Sequence, residues 1–167
     1  MTEFEFPIGE QLVKVEYEMF DYDDYPESTS VVDDVSMAVY LEWSDLSRAR
    51  LGWRTPGYWY EEGLMVGGLR NPNADIVDMS RRWSFLLGLP LETLSFSYTP
   101  YSPPLVWAIN FGFEGDINLI VALGQIQDNE VTYMPNNLIV TASQERAHNY
   151  RPSNDEGYWT STSAWGD

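Results

Sequence analysis

The 167-residue sequence predicts an α+β chain that is mainly β: one twisted, mostly antiparallel sheet of about six to nine strands, curled toward a barrel or sandwich, with two short helices. Three observations carry this expectation. Apolar and polar residues alternate with a period of two over Glu10–Phe20, Val35–Trp43 and Leu105–Phe113, the pattern of strands with one face on a core. Glycine, proline, asparagine and aspartate punctuate these runs at the spacing of turns. Stripes with a helical period are few and short.

Over Glu10–Phe20, Val13, Val15, Tyr17 and Met19 share one face, while Lys14, Glu16 and Glu18 share the other. Asp21–Ser28 breaks the alternation with close-spaced acids and Pro26, and is expected to be an exposed loop. A second strand is read through Val35, Met37, Val39, Leu41 and Trp43, and a third through Arg50–Thr55, ended by Pro56-Gly57. Gly57–Val66 alternates again up to Gly67-Gly68, and Arg70–Asn73 is a loop. Met79–Leu87 is the best helix candidate, with Asp78 or Ser80 as its cap, a Trp83, Leu86, Leu87 stripe, and Gly88 with Pro90 as its stop.

Leu91–Thr99 is expected to be a strand with Leu94, Phe96 and Tyr98 inward. Leu105–Phe113 and Ile117–Leu123 form a hairpin about Glu114-Gly115-Asp116. The unbroken apolar run Leu119–Leu123 requires cover on both faces, which places this hairpin in mid-sheet. After a turn at Gln127–Glu130 come a short strand at Val131–Tyr133 and a closing strand at Leu138–Val140. A second short helix is expected from Thr141 or Ser143 to Asn149. Residues 1–150 are read as one domain and 151–167 as a polar tail whose Tyr158, Trp159 and Trp165 need somewhere to dock.

Charge is the strongest compositional feature, at −17 formally with a pI near 4.1. Met1–Asp45 holds 13 Asp and Glu against Lys14 alone, net −12; the remaining 13 acids face 8 Arg, net −5. Such a field disfavours nucleic acid and anionic membrane and favours encounter with a basic protein, although solubility alone also accounts for it. The acidic N-terminus does not resemble a secretion signal, so a cytoplasmic location is expected. The absence of cysteine removes a disulfide framework, a thiolate zinc site and a cysteine nucleophile together.

Catalytic chemistry finds little footing. His148 is the only histidine and has no metal-ligand spacing; no phosphate-binding glycine loop and no nucleophile elbow occur. The Asp21, Asp23, Asp24, Glu27 cluster lacks the glycine and the terminal glutamate of a calcium loop, since its twelfth position is Val32. Glu61 and Glu62 are strand neighbours on opposite faces, and a carboxylate pair for glycoside hydrolysis would need Glu42, Asp75 or Asp116 nearby. No cofactor, metal site or catalytic residue is therefore expected.

What stands out instead is aromatic side chains interleaved with acids. Asp21, Tyr22, Asp23, Asp24, Tyr25 and Glu27 form one such run and Trp59, Tyr60 and Glu61 another. Tyrosine gives interface area at low entropic cost, and carboxylates beside it pair with Arg or Lys. These nine residues are the candidate partner-binding set. In composition the chain resembles small immunity proteins, without a motif that marks one of their families. That resemblance implies an acidic inhibitor that occludes the cleft of a basic toxin or nuclease. A ligand-binding barrel or sandwich with an aromatic-lined pocket is the alternative, a carboxylate-based hydrolase comes third, and a homodimer is compatible with all of them.

Overall fold

The computed structural model describes residues 5–20, 32–54, 63–98, 105–127, 130–132, 134 and 136–142. Twelve strands are found among them, all paired antiparallel, in two five-stranded sheets and one small hairpin. The strands are β1 (Leu12–Phe20), β2 (Val32–Val35), β3 (Ala38–Trp43), β4 (Arg48–Arg54), β5 (Gly63–Val66), β6 (Ala74–Asp78), β7 (Leu91–Tyr98), β8 (Val106–Phe113), β9 (Ile117–Leu123), β10 (Gln125–Gln127), β11 (Glu130–Thr132) and β12 (Leu138–Thr141). The first sheet has the order β5-β4-β3-β1-β6 and the second β2-β12-β9-β8-β7, with β10-β11 apart. The expected single sheet is thus two sheets, and neither closes into a barrel.

One core lies between them. Val15, Tyr17, Val39, Leu41, Trp43 and Leu51 of the first sheet and Trp107, Ile109, Phe111, Phe113, Leu119 and Val121 of the second are buried together. Across the gap Trp43 stacks on Phe113 at 6.2 Å between ring centroids and tilts against Phe111 at 6.3 Å. As expected, β8 and β9 are central, and Leu119–Leu123 is fully buried on both faces.

The run read as one strand from Val35 to Trp43 is divided between the sheets. β2 ends at Val35 in the second, the chain crosses at Ser36 and Met37, and β3 begins at Ala38 in the first. The crossover is pinned by Phe20 N–H donating to Ser36 Oγ at 3.1 Å, Trp53 Nε1 to Ser36 O at 2.8 Å, and Met37 N–H to Glu18 O at 3.2 Å. Strand β1 has the expected faces except at Val13, which a register shift between Leu12 and Lys14 leaves 43% exposed.

Ala74–Asp78 is a strand that periodicity did not single out, an edge segment of five residues with two acids. The expected helix over Met79–Leu87 is instead a succession of turns. Its stripe is right, since Trp83 and Leu86 are buried, but most of its bonds span three residues: Ser84 N–H to Arg81 O, Leu86 N–H to Trp83 O and Leu89 N–H to Leu86 O. So short a segment gains little from helical nucleation. Its side chains are committed elsewhere: Ser80 Oγ accepts from Val15 N–H at 3.3 Å, and Arg82 and Trp83 reach into the core. Gly88 ends it at φ 87°, a left-handed geometry that glycine takes without a β-carbon clash. The second expected helix and the 151–167 tail lie outside the described residues.

The chain passes from β5 to β6, the two edges of the first sheet, through Gly67–Asn73. Four strand spacings of about 4.8 Å make roughly 19 Å. Seven residues reach about 25 Å when extended, enough to span that width and still turn at Asn71–Ala74, where Ala74 N–H donates to Asn71 O at 3.1 Å. The link crosses the face away from the core, where Arg50 Nη1 donates to Gly67 O at 3.3 Å and Asn71 N–H to Glu18 Oε2 at 3.5 Å.

Candidate partner-binding end

Strand register fixes where the acidic and aromatic segments leave the fold. Phe20 pairs with Ala74, Glu18 with Ala38, Ala38 with Gly52, and Arg54 with Gly63. The last residue of β1 and the facing ends of β4 and β5 therefore lie at the same end of the first sheet. The β7–β8 connection belongs there too, because a β-carbon at Gly63 would stand 3.4 Å from that of Leu105. At the opposite end lie the Ser44–Ser47 turn, the Glu114–Asp116 turn and Trp43 against Phe113.

The candidate residues Asp21, Tyr22, Asp23, Asp24, Tyr25, Glu27, Trp59, Tyr60 and Glu61 all lie outside the described residues. What the fold supplies is their anchorage. The two segments are rooted on β1 and β4, two strand spacings apart, about 10 Å.

The other acids of the N-terminal quarter are largely used within the fold. Asp33 is fully buried between the sheets. Arg82 Nε donates to its Oδ2 at 2.8 Å and Arg82 Nη2 lies 2.7 Å from Oδ1. Tyr17 Oη donates to Asp33 Oδ2 at 2.7 Å and itself accepts from Trp83 Nε1 at 2.7 Å. Burial first, then the Asp33 charge and hydrogen bond, push the Tyr17 hydroxyl well above the ordinary tyrosine range. This chain of groups ties β1, β2 and the 79–90 segment into one unit.

Glu18 is its counterpart on the outer face of the same sheet, also fully buried. Arg50 grips it with Nε to Oε1 at 3.2 Å and Nη2 to Oε2 at 2.8 Å, and Tyr40 Oη donates to Oε1 at 2.7 Å. Burial alone would raise the Glu18 carboxyl. The Arg50 and Tyr40 hydrogen bonds and the Arg50 charge outweigh it, so the group stays below the usual glutamate range. Arginine suits both sites because its planar fork can hold two carboxylate oxygens at once.

The remaining acids scatter. Glu16 pairs with Arg48 and, at 3.5 Å, with Lys14 on the solvent side of the first sheet. Asp34 accepts from Asn137 Nδ2 at 2.7 Å and Ile126 N–H at 2.8 Å. Asp45, in the turn at the far end, accepts from Ser47 Oγ at 2.6 Å and Ser47 N–H at 2.9 Å, which lowers its carboxyl. Glu10 accepts from Ser44 Oγ at 2.6 Å in the same region. A single acidic face spanning Asp21 to Asp45 is therefore not what the fold builds: Asp33, Asp34 and Asp45 point three different ways.

The chemistry open to these groups is limited. Glu18 and Asp33 are each locked to a guanidinium, and both are spent on fastening irregular segments to strands. Glu42 lies on the outer face of β3, Asp75 on the edge strand β6 and Asp116 in the turn at the far end; Glu61 and Glu62, which one of them would have to approach to make a carboxylate pair, lie outside the described residues. Among the described residues no group of three His, Asp or Glu could hold a metal ion. No described helix is long and apolar enough to cross a membrane.

The burial of Glu18 left no trace in the local sequence, because Asn71, which covers it, is 53 residues away. The acid that Arg82 holds is the buried Asp33, 49 residues away, and not a surface carboxylate. No family model matches the chain, and neither the curated proteins nor the solved structures contain a significant match.

Proposed function

We propose that the chain is a binding protein that uses the β1–β2 and β4–β5 end of its two-sheet scaffold to engage a basic protein, acting as an immunity-type inhibitor of a cationic toxin or nuclease. The observation that supports it is the contrast between two sets of acids. Six described acids of the N-terminal quarter, Glu10, Glu16, Glu18, Asp33, Asp34 and Asp45, are engaged by partners in the fold. Asp21, Asp23, Asp24 and Glu27 crowd seven residues of one connection, rooted close to the connection that carries Trp59, Tyr60 and Glu61. Carboxylates at such an end steer a cationic partner and aromatic side chains hold it. Among the described aromatic side chains, Trp43, Phe111 and Phe113 pack against one another in the core.

The test compares two variants of equal charge by calorimetric titration against a small basic nuclease and by its residual activity. One neutralises the loop (Asp21→Asn, Asp23→Asn, Asp24→Asn, Glu27→Gln), the other four dispersed acids (Asp75→Asn, Asp78→Asn, Glu92→Gln, Glu114→Gln). The loop variant is expected to weaken binding by more than about tenfold, or about 1.4 kcal/mol, and the dispersed variant by much less. Equal losses would reduce the effect to net charge and overturn the proposal.

A further inference from the structure

The second sheet is buried on both faces, and the first sheet accounts for one of them. Phe111 and Phe113 meet Trp43 across the core, so the alternate residues of β8, among them Ala108 and Asn110, point the other way. Register carries this outer face across the sheet. Ala108 pairs with Ala122 and Asn110 with Ile120 on β9, and these pair in turn with Ile139 and Thr141 on β12. Ala108, Ile120, Ala122 and Thr141 have no exposure, Ile139 has 1% and Asn110 7%. Toward the Glu114–Asp116 turn the face opens, and Thr93 beside Gly112 is exposed.

The described elements cover one corner of it. The β10–β11 hairpin lies against β2 and β12, where Ile126 N–H donates to Asp34 Oδ2 at 2.8 Å. The strand that runs along β8 and β9 from outside their sheet is β5, which belongs to the first sheet on the core side. Asn110 Oδ1, on the outer face, is buried and has no hydrogen-bond partner among the described residues, whereas buried polar groups ordinarily have one.

We infer that residues 143–167 lie over this outer face within the same chain and seat Trp159 and Trp165 on it. Strand β12 delivers the chain there, since its last residue, Thr141, is on the face opposite Ile120. Residues 55–62 connect two strands of the first sheet and 99–104 close the step from β7 to β8, so both are short connections at one end of the fold. Composition fits as well. Tyr150, Tyr158, Trp159 and Trp165 each combine a large apolar body with one O–H or N–H donor, which is what an apolar face holding an unpaired carbonyl requires.

The chain has no cysteine, so one introduced thiol reports on the face. In the full chain, Asn110→Cys is expected to react slowly with an aromatic disulfide reagent. Adding Trp159→Ser and Trp165→Ser is expected to speed that reaction by more than about tenfold through local opening. Val121→Cys, on the same strand as Ile120 but facing the core, should stay slow in both backgrounds. A thiol at position 110 that already reacts fast, or whose rate the two tryptophan substitutions leave unchanged, overturns the inference. So does acceleration by Tyr22→Ser with Tyr25→Ser instead, which assigns the cover to residues 21–31. A rate that rises on dilution assigns it to a second copy, and equal acceleration at Val121→Cys makes the opening global; each of these also overturns it. Should Asn110→Cys fail to fold by circular dichroism, Ser97→Cys, a nearly isosteric change at a buried position paired with Ala108, takes its place under the same criteria.

Discussion

Replacing Arg50 by Met keeps most of the aliphatic stem and removes the cation that holds Glu18. The Glu18 side chain has no exposure and that of Arg50 only 10%, so water can do little to shield the stranded carboxylate. Breaking such a pair from one side costs about 3 to 5 kcal/mol. In a chain of this length that is a fall in melting temperature of about 6 to 20 °C. Tyr40 and the Asn71 amide still face the carboxylate, which favours the lower half of the range. The loss of the Arg50 bond to Gly67 O also frees the link across the outer face, so the Asn71 amide should exchange with deuterium faster.

The pH dependence separates this mechanism from simple loss of packing. In the native chain the Glu18 carboxyl is held low, so its stabilising contribution is present above the ordinary glutamate range and is lost as pH falls through the lowered value. In Arg50→Met the Arg50 hydrogen bonds and charge are gone, leaving burial, the largest cause, opposed only by Tyr40 and the Asn71 amide, so the group rises from its native value; that variant gains relative stability as its carboxyl takes up a proton. Urea midpoints at pH 7 and about pH 4 should therefore show a deficit that narrows on acidification. A deficit under about 1 kcal/mol at pH 7, or one unchanged at low pH, would refute the assignment of a charged, buried carboxylate here.

Two further outcomes follow from the same geometry. Leu46 sits at φ 73° with 86% of its surface exposed, so Leu46→Gly relieves a left-handed strain of about 1 to 2 kcal/mol against a glycine entropy cost of about 0.5 to 1 kcal/mol, and should raise the urea midpoint; a lower midpoint refutes the strain. The raised Tyr17 hydroxyl stays protonated in the fold above about pH 10 while an unfolded tyrosine ionises, so it makes stability fall by up to about 1.4 kcal/mol per pH unit there; Tyr17→Phe should fall less steeply in alkaline urea titrations, and an unchanged slope refutes the buried hydroxyl.

The residues that were legible in the sequence are those whose inward or outward direction follows from local alternation. Val15, Tyr17, Val39, Leu41, Trp43, Ile109 and Phe111 are all in the core where a period of two puts them. What the period does not carry is which sheet a strand joins. Val35 faces the core from the second sheet and Val39 from the first, four residues later, and the alternation passes through the crossover unbroken because the sheets share one core. A single long strand and two short ones on opposite walls therefore write the same pattern. Phe96 and Tyr98 show the converse: their alternation is that of an inward face, yet both are exposed and Ser97 between them is the buried residue.

Polar partners were harder still to see, for the same reason of distance. Tyr17 and Glu18 are adjacent and face opposite ways, one into the core and one out, and each is buried by groups far along the chain: Asp33, Arg82 and Trp83 for the first, Arg50 and Asn71 for the second. Once these two residues have taken their partners, a segment without regular structure is fastened to each face of the same strand. Acidic residues that composition groups together thus divide, among the described residues, into Glu18 and Asp33, buried where they fasten the scaffold, and Glu10, Glu16 and Asp45, held by partners at or near its surface.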